Sequence, residues 1–95
     1  MKLEIKPTFL ESAMLQELPV RKGVLKLIEV AGMLTMGELL QHQGVHLEKL
    51  MNLQGPDGSP LYSLRVTRSA RAMASVDGET LILRYVVPDH DKAYH

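Results

Sequence analysis

In the first six residues apolar Leu3 and Ile5 alternate with Lys2, Glu4 and Lys6, the period of two that marks a half-buried strand. Pro7 closes that pattern. Thr8-Phe9-Leu10-Glu11 has the spacing of a capping box, which predicts a short helix running to about Leu18. Pro19 suits the first turn of a second helix, where its missing N–H costs no hydrogen bond. Val20, Val24, Leu27, Ile28 and Ala31 then recur at helical spacing on one face, and Gly32 is the expected stop. Two helices joined by so little chain form a hairpin whose apolar faces need a further layer to cover them.

Thr35-Met36-Gly37-Glu38 offers a second capping box, ahead of a short amphipathic piece with Met36, Leu39 and Leu40 that Gly44 interrupts. Leu47 to Met51 fits either a last helical turn or an edge segment. Gly55-Pro56-Asp57-Gly58-Ser59-Pro60 is a turn, because two prolines and two glycines in six residues leave no continuous backbone ladder. Beyond it Tyr62, Leu64 and Val66 share one side of a strand, and Ser63, Arg65 and Thr67 share the other. A second strand from about Arg71 to Val76 separates Ala70, Ala72, Ala74 and Val76 from Arg71, Met73 and Ser75. Asp77-Gly78 is a hairpin dipeptide, and Thr80 to Val87 is apolar enough for a central strand buried on both faces, except that Arg84 needs an edge or a partner.

The expected architecture is an α+β single domain over residues 1–95: an N-terminal strand, a helical hairpin with a short helical piece, then a three-strand antiparallel C-terminal sheet. The helices cover one face of the sheet, and the other face displays Arg65, Arg71 and the C-terminal tail.

Ninety-five residues leave no room for a second domain, and a composition 45% hydrophobic and 23% charged is that of a folded globular chain. No segment is long and apolar enough for a membrane span, Met1 to Lys6 lacks a signal-peptide pattern, and there is no cysteine, so the expectation is a cytoplasmic protein with no membrane partner. Eleven basic residues balance eleven acidic ones, so no overall field draws the chain to nucleic acid. The balance is uneven, however. Residues 61–76 hold Arg65, Arg68 and Arg71 and no acid, a local patch able to bind phosphate within a screening length of about 8 Å.

Several pieces occur in a telling order: Leu47 through Gly55, Leu61-Tyr62-Ser63-Leu64-Arg65-Val66, Arg71-Ala72-Met73, Asp77-Gly78, and His90 through Tyr94. Together they resemble the RelE/ParE toxin superfamily of bacterial toxin–antitoxin systems. The resemblance implies a ribosome-dependent mRNA endonuclease that blocks translation, with mRNA on the ribosome and a cognate antitoxin protein as partners, and it leaves room for a homodimer. It implies Arg65, Arg71, His90 and Tyr94 as catalytic residues, Arg68, Arg84 and Lys92 as RNA- or phosphate-binding residues, and no metal or cofactor. The chemistry is coherent: cleavage by a neighbouring 2′-hydroxyl needs that oxygen deprotonated, a dianionic phosphorane neutralised and the 5′-oxygen protonated. Arginines serve the second task, and His90 or Tyr94 the others.

The same resemblance admits a ParE-like inhibitor of DNA gyrase and a catalytically inactive protein-interaction module. Asp89 and Asp91 folded over Arg65 and Arg71 would favour the module; free, clustered arginines would favour the nuclease. His42 and His46 have an i,i+4 metal spacing that Gly44 disrupts, and the polar cluster Asp89, His90, Asp91 and His95 is ordinary for a solvated terminus. Met14, Met33, Met36, Met51 and Met73 are expected to fill core gaps or to line a groove for a partner helix.

Overall fold

The structure, a computed structural model, describes residues 1–88. In chain order the elements are β1 (Lys2–Ile5), α1 (Pro7–Met14), α2 (Leu18–Met33), α3 (Met36–Gln41), β2 (Glu48–Gln54), β3 (Pro60–Arg65), β4 (Arg71–Asp77) and β5 (Thr80–Val87). The strands form one five-stranded sheet in the order β1-β5-β4-β3-β2. β5, β4, β3 and β2 pair antiparallel, as successive hairpins dictate, whereas β1 pairs parallel to β5 with Leu3 opposite Leu81 and Ile5 opposite Leu83.

The expected α+β architecture with helices against one face is present, but the sheet is mixed rather than antiparallel and holds five strands rather than three plus one. The added strand, β2, is one edge of the sheet and β1 is the other. β2 forms where the sequence left helix or edge open; its side chains are nearly all exposed, and its pairing with β3 shifts register between Leu50 and Gln54. A strand so bare and irregular has little of the alternation by which strands are recognised.

The core lies between the helices and one side of the sheet. Phe9 and Ala13 of α1, Val24, Leu27 and Ala31 of α2, and Leu39 of α3 pack with Leu64, Ala72, Ala74, Leu81, Leu83 and Val86. Phe9 and Leu83 have no exposed surface, and burying a side chain of that size stabilises by about 1.5–3 kcal/mol. Small residues set the spacing: a Cβ built on Gly23 of α2 would stand 2.6 Å from the Val66 carbonyl oxygen, so the helix rides directly on the end of β3.

Several local expectations are corrected. Thr8 does not cap α1, which starts at Pro7 with Lys6 as an N-cap that makes no side-chain bond; the Thr8 hydroxyl instead donates to the Arg84 carbonyl at 2.7 Å. The helix also ends at Met14 rather than near Leu18, and α2 runs one residue past Gly32. β5 is not buried on both faces, since Ile82 is half-buried and Tyr85 is 36% exposed. Of the methionines, Met73 is buried, but Met14, Met33 and Met51 are each at least three-quarters exposed and fill no core gap. The second capping box is formed as the spacing predicts: Thr35 Oγ1 accepts from Glu38 N at 3.2 Å, and Glu38 Oε1 accepts from Thr35 N at 2.9 Å.

Candidate functional site: an arginine pair on the open sheet face

Alternation along β3 and β4 puts Leu64, Ala72 and Ala74 on the helix side and sends Ser63, Arg65, Arg71, Met73 and Ser75 to the other. The register makes Arg65 and Arg71 direct partners, with Ser63 opposite Met73 one step further in. What fixes this pairing is the tight connection between the strands. Val66 N and Thr67 N both donate to the Ala70 carbonyl, at 3.0 and 3.3 Å, and Ala70 N donates to Thr67 Oγ1 at 3.1 Å. Arg68 is carried exposed in that connection.

The two paired arginines differ in setting. Arg65 is exposed, whereas Arg71 is only 8% exposed, and its Nε and Nη1 are buried without a hydrogen-bond partner among the described residues. Ser63 Oγ beside them is in the same condition. Buried polar atoms are nearly always bonded, so three in one neighbourhood without a partner among the described residues set this patch apart. Like charges directly opposite on a ladder also repel, a cost that an anion between them removes.

Arg84 has a different place. Between Met73 and Ala74 the β4–β5 register slips by one residue, so Met73 faces Tyr85 and Ala74 faces Leu83, leaving Arg84 as the extra residue of a bulge. The bulge turns its side chain onto the open face, where Nε donates to Ser75 Oγ at 2.6 Å and Nη2 lies 3.8 Å from Asp57 Oδ2. Asp57 also accepts from the Ser59 hydroxyl and backbone N–H, bonds that hold its carboxyl below the usual carboxylate range, with Arg84 adding a smaller pull. Arg84 thus ties the Gly55–Ser59 turn to the sheet. Thr8, Gln54, Gly55, Leu61, Arg84 and Tyr85 line a cleft of about 440 Å³ there.

Solved structures share this arrangement of elements. One chain, in the RelB–RelE antitoxin–toxin complex of Methanococcus jannaschii, is 18% identical and superposes with a TM-score of 0.68, over 96% of this chain and 94% of that one. A chain of the archaeal RelE–RelB complex of Pyrococcus horikoshii is 16% identical with a TM-score of 0.64, over 92% of each. The YoeB dimer of Staphylococcus aureus gives 17% identity and 0.52, over 90% of this chain and 92% of that one. The chain has the RelE-like fold. No protein-family model matches the sequence, and no curated protein matches it at a significant level.

Within this RelE-like fold the sequence-predicted residues fall into three groups. Arg65 and Arg71 are brought together, with Arg68 in the adjoining connection; Arg84 is engaged by Ser75 and Asp57; and His90, Lys92 and Tyr94, with Asp89 and Asp91, lie outside the described residues. Sequence reasoning overlooked Ser63, Ser75 and Asp57. A parity argument reaches the two serines, since both alternate with core residues beside the arginines, whereas Asp57 is placed by the turn. His42 caps the end of α3 and His46 lies beyond it with a φ of 50°, so the two do not share a helix face. Leu10, Met14 and Leu25, more than half exposed, border an apolar groove of about 240 Å³ between α1 and α2, with Arg21 as its charged member. No helix among the described residues is long and apolar enough to cross a membrane.

Proposed function

We propose that this protein is the toxin of a toxin–antitoxin pair and that it cleaves mRNA on the ribosome. The observation that carries the reading is the Arg65–Arg71 register pair, with the Arg71 guanidinium buried and its Nε and Nη1 without a partner among the described residues. Two guanidiniums on one patch of sheet suit a phosphodiester whose phosphorus is gaining negative charge.

In the reaction the 2′-oxygen of one nucleotide attacks the adjacent phosphorus. The bond to the 5′-oxygen of the next nucleotide breaks, leaving a 2′,3′-cyclic phosphate and a 5′-hydroxyl. Arg71, fixed in the face of the sheet, and Arg65, free to adjust, stabilise the dianionic phosphorane between them. His90 and Tyr94 are the candidates for taking the 2′-proton and returning one to the leaving oxygen, with Arg68 and Lys92 on flanking phosphates. Arg84 acts at one remove, by holding the 55–59 turn that borders the face.

A cognate antitoxin is the expected protein partner. Two of the similar structures are antitoxin–toxin complexes, and the apolar groove between α1 and α2 gives such a partner a surface beyond the arginines.

The test adds purified protein to ribosomes programmed with a defined mRNA and maps new 3′ ends. Cleavage that needs the ribosome and is lost in the Arg65→Ala/Arg71→Ala double variant is the expected result. Intact message with the unaltered protein overturns the reading.

A further inference from the structure

Tyr85 belongs to an interior strand, with β1 on one side and β4 on the other, yet 36% of its surface is exposed. Register fixes the side it faces. It stands opposite Met73, and its neighbour Val86 packs into the core, so the ring lies on the open face with Arg65 and Arg71. Among the described residues it is the one aromatic side chain there, because Phe9 is in the core and Tyr62 shares the helix side of β3 with Leu64. Val87, the register partner of Arg71, comes two residues after Tyr85 on the same strand, a separation of about 7 Å.

The ring borders the cleft of about 440 Å³ beside the Gly55–Ser59 turn, whose far wall is Gln54, Gly55 and Pro56. That volume is within the range of clefts that hold small ligands. The walls are fixed before any ligand arrives. A Cβ on Gly55 would stand 3.6 Å from Arg84 Nε, so the turn folds directly over an Arg84 side chain whose Nε already donates to Ser75 Oγ at 2.6 Å. On the other side, Thr8 is tied to the Arg84 carbonyl at 2.7 Å. Gln54 brings an amide that both donates and accepts, and Leu61, 3% exposed, adds apolar surface. An exposed ring beside apolar surface, with an amide at the rim, is the set of groups that a nucleobase uses: a π-face for stacking and polar atoms for its edge.

We infer that this cleft is a base-binding subsite, in which the nucleobase next to the phosphate held by Arg65 and Arg71 stacks on Tyr85 and turns its edge to Gln54. The inference rests on the nuclease reading for the strand's being RNA; the stacking surface does not depend on it. Every base has a π-face, so the stack tolerates any sequence. Its effect is on position, because a base held on the ring stops the strand from slipping along the arginine pair and keeps one phosphate in the reacting place.

The test follows the Tyr85 ring protons in protein with labelled tyrosines, assigned with the Tyr85→Phe variant, during titration to millimolar concentration. Two probes are used: a 2′-O-methyl RNA trinucleotide that cannot be cleaved, and the same backbone without bases. The trinucleotide is expected to move the ring protons upfield, as stacking does, and the abasic backbone to leave them in place. Tyr85→Leu should weaken trinucleotide binding by about tenfold or more, and Tyr85→Phe should retain it, since the ring rather than the hydroxyl makes the contact. Ring protons that stay in place with the trinucleotide, or that respond equally to the abasic backbone, overturn the subsite. So does unchanged affinity in a Tyr85→Leu protein whose spectrum stays dispersed; if that variant does not fold, the ring shifts decide alone. Ring shifts in a protein unable to cleave ribosomal mRNA remove the nuclease reading and leave the subsite standing, whereas cleavage without ring shifts does the reverse.

Discussion

Arg65 and Arg71 stand directly opposite each other across the β3–β4 ladder, one exposed and the other 8% exposed. Placing two cations in register works against the stability of the ladder. Under the proposed function the pair holds a phosphate, and that role can be measured separately from stability.

Replacing Arg71 with Leu keeps apolar bulk and removes, together with the repulsion, two buried nitrogens that have no partner among the described residues. Chemical denaturation is expected to show a gain of about 1–3 kcal/mol, while cleavage of ribosome-bound message falls by about two to three orders of magnitude. A loss of stability would mean that Arg71 is a structural residue with a partner.

Arg84 is expected to behave oppositely. Arg84→Ala removes a 2.6 Å bond to Ser75 and a long contact to Asp57. The first of these is worth about 1.5–3 kcal/mol as a bond made by a charged group, and the contact to exposed Asp57 adds little. Ser75→Ala on top of Arg84→Ala should then cost much less than Ser75→Ala alone, a coupling that a double-mutant cycle of unfolding free energies reads directly.

Two glycines of α2 give contrasting expectations from the same substitution. At Gly23 an added Cβ meets the Val66 carbonyl oxygen at 2.6 Å, so Gly23→Ala should destabilise by about 1–3 kcal/mol through overpacking. At Gly32 the nearest atom is Leu3 Cδ1 at 3.9 Å, an ordinary contact, and Gly32→Ala should stabilise by up to about 1 kcal/mol from helix propensity. Thermal unfolding of the pair checks both signs.

The capping box of α3 predicts a pH dependence. The Glu38 carboxylate accepts the Thr35 backbone N–H, which holds its pKa below 4.5. A pKa depressed by folding means that the contribution is fully present above the unfolded value and is lost as pH falls from about 4.5 through the folded value. Glu38→Gln should therefore flatten that part of the acid limb by removing the charge-dependent contribution that is present at neutral pH. Thr35→Ala should cost about 1 kcal/mol at neutral pH, measured by denaturant titration.

Much of this was legible in sequence because the signals are local. Thr35 and Glu38 carry their own geometry, Asp77-Gly78 forms its turn with Gly78 at a φ of 60°, and the alternation of Leu64 with Arg65 and of Arg71 with Ala72 is enough to put both arginines on the face away from the helices. What escaped depends on residues far apart in the chain. Thr8 has the right neighbour for a cap, yet its hydroxyl is taken by Arg84, 76 positions away. The β4–β5 bulge that turns Arg84 toward Ser75 is a matter of pairing, and a strand read alone carries no trace of its partner's register. Residue type alone leaves core and groove open for Met14, Met33 and Met51; all three are exposed, and Met14 borders the apolar groove between α1 and α2.

The parallel seam between β1 and β5 has a consequence for how the molecule is made. Residues 2–5 find their only sheet neighbour, among the described residues, at residues 80–83, so β1 must wait for β5, which is made much later. Contacts of such sequence separation form late, after the β3–β4 and β4–β5 hairpins have closed locally. A nascent chain that stops short of β5 therefore lacks both the ladder partner of β1 and the strand that lies alongside Arg71. Assembly of the arginine pair into a complete sheet is thereby tied to the synthesis of β5.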